Sequence, residues 1–225
     1  MAAKPQKVIL SWSGGKDSAL AFMELSHDPR YTIESLLTTI TSGYERISMH
    51  GVRVSLLEQQ ADSLGVPLVK VAIPQGSSNA QYESAMHSIL ARANADGVTA
   101  VAFGDLFLED IRQYREEKLS QVSMKAVFPI WKRDTRELAS SFLKAGFKAI
   151  LVCVDSNSLD GSFVGRAFDE SLLADLPSGV DPCGENGEFH TFVHNGPIFN
   201  HPISFRPGET VLRENRFWYH DLLQG

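Results

Sequence analysis

Lys7-Val8-Ile9-Leu10-Ser11-Trp12-Ser13-Gly14-Gly15-Lys16-Asp17-Ser18 is the stretch whose reading decides the fold class. Residues 7–11 form a short apolar run that predicts a strand ending at Ser11. Gly14-Gly15 then breaks the run, and the spacing over 17–27 predicts a helix. Adjacent glycines let backbone N–H groups crowd close to an anion. The following helix aims its unpaired N–H groups and the positive end of its dipole at the same place. Ser13 and Ser18 add hydroxyls and Lys16 a cation, while Asp17 offers a carboxylate able to hold Mg²⁺ beside phosphate oxygens. The set suits a polyphosphate at the end of the first strand, which is where doubly wound sheets bind ligands.

Three other phosphate or nucleophile loops are excluded by single positions. A Walker A loop needs Gly at 10 and Ser or Thr at 17, where this chain has Leu10 and Asp17. No G-x-G-x-x-G run opens the helix, and a nucleophile elbow around Ser13 would need Gly in place of Ser11.

Outward from this stretch the alternation continues. Strands are predicted over 33–40, 68–73, 98–103, 127–131 and 149–155, and helices over 52–64, 79–95, 108–122 and 135–145. Repeated strand–helix order implies right-handed crossovers and an α/β, doubly wound, mostly parallel sheet. After residue 155 the chain turns richer in Gly, Pro and aromatics, and 188–193 and 209–219 read as strands of a small antiparallel appendage. The expected division is a nucleotide-binding domain over 1–155 and a smaller α+β subdomain over 156–225, with a soft boundary.

Composition fits this picture. The 225 residues are 43% hydrophobic and 21% charged, with a formal net charge of −6. Those values describe an ordinary globular chain rather than a disordered one. No apolar run approaches the roughly 20 residues of a membrane helix, and none makes a signal-peptide core. Two cysteines and no export signal point to a cytoplasmic protein without a disulfide framework. A slightly acidic chain has no bulk basic field for duplex nucleic acid.

A second dense constellation is Cys183-Gly184-Glu185-Asn186-Gly187-Glu188-Phe189-His190-Thr191, followed by Gly196-Pro197. Glycines flanking two carboxylates mean a tight turn. Glu185 and Glu188 so placed can orient an amine-bearing substrate or take a proton from an attacking amine. Composition alone leaves an acidic surface turn on equal footing.

The hexapeptide Ser13–Ser18 resembles the PP-loop of the N-type ATP pyrophosphatases, which cleave ATP between the α and β phosphates. The second constellation is similar to the Gly-Glu-Gly-Gly-Glu-(Phe/Tyr)-Glu-Thr signature of the diphthine–ammonia ligase family, with Asn186 in place of Gly and His190 where Glu is common. Met49-His50-Gly51-Val52, Gly104-Asp105 and Pro129-Ile130-Trp131 also look like family blocks. The resemblance implies a sheet of the adenine-nucleotide α-hydrolase (HUP) type using ATP and Mg²⁺, the metal held at Asp17. It implies nucleotide contacts at Ser11, Ser13, Gly14, Gly15, Lys16, Asp17, Ser18, His50, Gly104 and Asp105. Lys16, Asp17, Glu185 and Glu188 would be catalytic, and substrate would meet Gly184, Glu185, Gly187, Glu188, His190 and Thr191; Arg112, which follows the strand end facing the ATP site, is a further expected substrate contact.

The reaction so implied is adenylation of a carboxylate with release of pyrophosphate, then displacement of AMP by ammonia. The acceptor would be the diphthine of elongation factor 2 in an archaeal or eukaryotic source, and another carboxylate in a bacterial one. No glutaminase domain is visible, which favours free ammonia as donor. Two rival readings are a tRNA-modifying pyrophosphatase and a non-catalytic ATP sensor. The first lacks a cysteine pair, and the second gives no reason for the acidic turn.

Other features read as structural. Cys153 lies in an apolar strand and belongs to the core. His190 and His194 sit on a strand, too far apart to share a metal. Asp155-x-Asn157 with Asp160-Gly161 departs from a calcium loop at Leu159. Phe217-Trp218-Tyr219 reads as packing or a homodimer contact rather than an RNA platform.

Overall fold

The computed structural model describes residues 4–43, 46–47 and 51–225, so Met49 and His50 lie outside the described residues. The amino-terminal elements are β1 (Gln6–Ser11), α1 (Lys16–His27), β2 (Tyr31–Thr41), β3 (Arg46–Ile47), α2 (Val54–Leu64) and β4 (Leu68–Ile73). They are followed by α3 (Asn79–Ala95), β5 (Ala100–Ala102), α4 (Glu109–Ser120) and β6 (Lys125–Val127). The remainder is α5 (Thr135–Lys144), β7 (Lys148–Asp155), a 3₁₀ turn (Gly161–Phe163), α6 (Glu170–Asp175), β8 (Phe189–Asn195), β9 (Phe205–Arg213) and β10 (Phe217–Gln224). Two compact units result. The second takes Gly14–Lys16, the described residues from Arg46 to Gly65, and Arg133–Gly225; the first takes the rest.

In the first unit five parallel strands lie in the order β4-β2-β1-β5-β6. Val8, Ile9 and Leu10 of β1 and all three residues of β5 are buried, as strands covered on both faces must be. On one face Ile9, Leu37, Val71 and Val101 pack with Leu90 of α3 and Leu119 of α4. The strand order reverses between β1 and β5, which makes the crevice outside their carboxyl ends the expected ligand position. The α/β, doubly wound parallel sheet expected from the alternation is therefore present. Helix α3 starts on a capping box, in which Ser78 and Gln81 satisfy each other's backbone N–H groups.

The strand expected over 127–131 stops at Val127. Pro129 has no N–H to continue a ladder, and the Trp131 N–H closes a turn on the Phe128 carbonyl at 3.3 Å.

The second unit holds an antiparallel sheet in the order β8-β7-β10-β9. Two expectations are corrected here. The run 149–155 does not extend the parallel alternation: β7 pairs antiparallel with both β8 and β10. A strand buried along its whole length reads the same in either kind of sheet, because apolar content does not specify the partner. The single strand expected over 209–219 is two strands. Glu214 and Asn215 between them take φ of 53° and 50°, the paired positive angles of a type I′ hairpin turn. Phe142 stacks on Phe147 and meets Phe168 edge-on, giving this unit an aromatic core of its own. Among the described residues no helix is long and apolar enough to cross a membrane.

Candidate active site

In the second unit the glycine loop is built onto a sheet edge. β8 is the terminal strand, and its Val193 N–H donates to the Gly14 carbonyl at 2.9 Å. The Lys16 N–H donates to Thr191 Oγ1 at 3.1 Å. Gln60 of α2, fully buried, donates through Nε2 to the carbonyls of both Gly14 (3.1 Å) and Val193 (2.6 Å). Gly14 takes φ +77°, and a Cβ there would lie 2.7 Å from Gln60 Oε1, so glycine is required twice over.

Lys16 is buried to 3% exposure. Its Nζ lies 3.9 Å from Glu185 Oε1 and 5.9 Å from the centroid of the Phe189 ring. A buried ammonium is tolerated where a carboxylate and an aromatic face replace part of its hydration.

The two carboxylates of the acidic turn face different duties. Glu188 is buried and accepts from the backbone N–H groups of Asp181 (2.9 Å) and Asn186 (2.9 Å) and from Asn186 Nδ2 (3.0 Å). Burial pushes its carboxyl up, but these hydrogen bonds outweigh it and hold the group below the usual Glu range. Asp181 braces the other side, accepting from Cys183 N–H at 2.8 Å and from the Thr135 hydroxyl at 2.7 Å. Gly184 and Gly187 take φ of +70° and +85°, and a Cβ on Gly184 would lie 2.7 Å from the Phe189 carbonyl. Glu185 is the carboxylate that reaches Lys16. His190 is part-buried, and burial together with the Lys16 charge pulls its imidazole down to about 4. It is neutral at ordinary pH.

Neither cysteine is poised as a nucleophile. Cys153 is buried, and burial pushes its thiol up to about 11. Cys183 is buried as well, with Sγ 3.2 Å from the Thr135 carbonyl.

The first unit has its own candidate residues at the carboxyl ends of β1 and β5. Ser13 Oγ and Ser18 Oγ lie 3.3 Å apart, and Asp17 sits in the first turn of α1, where a carboxylate complements the dipole. A Cβ on Gly104 would come within 2.8–3.0 Å of the Asp17 carbonyl and the Ser18 nitrogen. Glycine is what lets the end of β5 close on the start of α1. The next residue, Asp105, is held by Nε and Nη2 of Arg115, whose guanidinium lies 4.1 Å over the Phe103 ring. Arg112 rests over Phe128 (5.2 Å) and Trp131 (4.9 Å) and donates to Glu116. Ser11 ends β1, part-buried. The expectation for His50 falls outside the described residues.

Gln60 and Asp181 organise the loop and the acidic turn of the second unit and were absent from the sequence expectations. Gln60 had a legible signal, a polar residue among Leu56, Leu57, Ala61 and Leu64 on the buried face of α2. Asp181 had none, since its role depends on what folds against it.

The donor set fits a nucleoside polyphosphate: a glycine loop at a helix start, flanking hydroxyls and a carboxylate. Among the described residues no three His, Cys, Asp or Glu side chains gather into a metal-binding group. Mg²⁺ fits only as it usually binds, through one or two carboxylates with phosphate oxygens and water.

The chain matches the family model of the diphthamide synthase N-terminal domain over residues 6–126 and that of the diphthamide synthase C-terminal domain over residues 134–222. It is 26% identical over 174 residues to a diphthine–ammonia ligase of Danio rerio, covering 69% of this chain and 67% of that protein. It is 26% identical over 122 residues to one of Schizosaccharomyces pombe, covering 52% and 20%. With the Homo sapiens protein it shares 27% over 111 residues, covering 47% and 42%. The matched span is thus between 20% and 67% of these relatives' lengths. Among solved structures, the U34-tRNA thiolase NcsA of Methanococcus maripaludis aligns with a TM-score of 0.39 at 15% identity, over 63% of this chain and 58% of that one. No weight rests on so loose a likeness. With two family models spanning nearly its whole length, the chain belongs to the diphthine–ammonia ligase (diphthamide synthase) family of PP-loop ATP pyrophosphatases.

Proposed function

We propose that this protein is an ATP-dependent amide-forming ligase: it adenylates a substrate carboxylate, releases pyrophosphate, and lets ammonia displace AMP. The observation that carries the reading is the seating of Gly14–Lys16 on β8. Val193 and Gln60 occupy the Gly14 carbonyl, so an anion at the loop does not meet that oxygen as a bare acceptor. A loop fixed before substrate arrives has no reorganisation cost when charge moves onto the leaving group.

Each residue then has a task. Gly14, Gly15, Ser13 and Ser18 hold the departing pyrophosphate, and Lys16 adds charge beside it. Asp17 would hold Mg²⁺, which when bound neutralises charge on the phosphate oxygens. Gly104 and Asp105 serve the nucleotide from the β5 side. Glu185 orients the attacking amine and takes its proton, and Glu188 acts through the turn it braces. The name of the relatives supports a diphthine carboxylate as acceptor and ammonia as donor. Gly184, Gly187, His190, Thr191 and Arg112 are proposed on the acceptor side.

The test is incubation with Mg-ATP, ammonium and a set of carboxylates that includes diphthine-bearing elongation factor 2, followed by separation of the nucleotide products. AMP and pyrophosphate that form only with an acceptor are expected. ADP and phosphate would sink the assignment.

A further inference from the structure

β9 ends the antiparallel sheet of the second unit, and among the described strands it pairs with β10 alone. Six of its nine residues are exposed, Leu212 to 43%. Such an edge offers a row of N–H and C=O groups to any strand that fits it. The Arg213 carbonyl accepts from the Arg216 N–H across the hairpin turn at 3.0 Å, so Arg213 turns its backbone groups toward β10. Alternation along the strand then turns those of Gly208, Thr210 and Leu212 outward, and leaves the missing N–H of Pro207 on the inner side. Side-chain alternation puts Glu209, Val211 and Arg213 on one face. On that face the Arg213 guanidinium lies 5.8 Å from the ring of Tyr219, the residue opposite Val211.

We infer that β9 is the interface for a second copy of this chain, whose β9 pairs antiparallel with it about a two-fold axis at Val211. With Val211 opposite its own copy, Glu209 stands opposite Arg213 of the second copy, and Arg213 opposite its Glu209. Opposite charges directly across an antiparallel pair attract, and here two such pairs flank a contact between the two valines. Thr210 and Leu212 exchange N–H···O bonds with Leu212 and Thr210 of the second copy. A two-fold axis normal to the sheet lets only residues of the same face stand opposite one another. Arg206 lies on the other face from Glu209, so no other register brings Glu209 opposite an arginine of the strand. The charge pattern therefore selects one pairing. Two four-stranded sheets then join into one continuous sheet, with the β8 strands that seat Gly14 at its opposite ends.

The test is sedimentation velocity of the whole chain over about 10–300 μM, a range suited to a small, largely polar contact. Wild type is expected to show a monomer–dimer equilibrium. Glu209→Arg and Arg213→Glu each set like charges opposite one another twice, and each should weaken self-association at least about tenfold. An equimolar mixture of the two variants regains both attractive pairs and should associate like wild type. All variants are first checked for folding by thermal melting. A wild type that stays monomeric throughout, or a mixture no better associated than its components, overturns the proposal. Should either charge variant not fold, Val211→Cys decides. Under mild oxidation it is expected to form an interchain disulfide, since the two Cβ atoms directly oppose each other, while Thr210→Cys, set opposite Leu212, should not. The native Cys153 and Cys183 are buried and do not compete. Equal or absent cross-linking in the two overturns the proposal.

Discussion

The backbone N–H of Val193 donates to the carbonyl of Gly14 at 2.9 Å, which ties the amino-terminal glycine loop to a strand near the other end of the chain. The loop meets the edge of β8 at Val193, and Gln60 donates to both carbonyls from α2. The support of the glycine loop thus comes in part from a strand far away in sequence.

Gln60→Leu should leave the carbonyls of Gly14 and Val193 without their side-chain donor in a buried setting. A loss of about 1–3 kcal/mol in urea unfolding is expected, with weaker ATP binding in equilibrium titration. Gly14→Ala should be worse on both measures, because it adds strain at φ +77° to a 2.7 Å approach. Unchanged nucleotide affinity in both variants would show that the clamp does not shape the loop.

Asp17→Ala should lower the rate of AMP formation by at least about 100-fold, the scale on which a single transition-state electrostatic group acts. Its melting temperature should stay near that of wild type. A folded and fully active variant would remove Asp17 from the mechanism.

Glu188 makes stability depend on pH. Its folded-state carboxyl lies below the usual Glu value, so its contribution is fully present above an unfolded value of about 4.3 and is lost as pH falls through the folded one. Unfolding free energy followed from pH 6 downward should therefore drop more steeply in wild type than in Glu188→Gln. At neutral pH Glu188→Ala should cost about 1.5–3 kcal/mol through loss of hydrogen bonds to a charged acceptor, while ATP still binds.

Asp221 of β10 ties down both ends of the 46–53 segment, accepting from Arg46 Nη1 at 2.8 Å and from Arg53 Nη2 at 2.7 Å. Burial alone would raise its carboxyl, but the two guanidinium groups hold it down at about 2. Its contribution is present above an unfolded value of about 3.9 and is lost as pH falls through about 2. Asp221→Asn should cost roughly 1 kcal/mol at pH 7, within the range for part-exposed ion pairs. Acid titration of the variant should lack that last transition, and a wild-type acid limb identical to the variant's would contradict the assignment.

The backbone course of both glycine-rich stretches was legible because it depends on near neighbours. Gly14, Gly15, Lys16 and Asp17 lie where a strand gives way to a helix, and the chain reversal follows from neighbours a few residues away. Gly184 and Gly187 likewise announced a turn, and both adopt positive φ. Glu185 and Glu188 looked equivalent in sequence. Which one would turn inward depended on Asp181 and Asn186, whose N–H groups converge on Glu188.

The chain's own order of residues determined the first strand, the glycine turn, the helix after it and the parallel alternation through β6, since these depend on periodicity and short-range backbone preference. Only tertiary structure decided that 149–155 would join an antiparallel sheet, that β8 would receive the loop, and that Gln60 would clamp it. An apolar pattern tells a strand which of its faces to bury. It does not say which strand or loop will satisfy the N–H and C=O groups along its edge, and that choice belongs to segments far away in sequence.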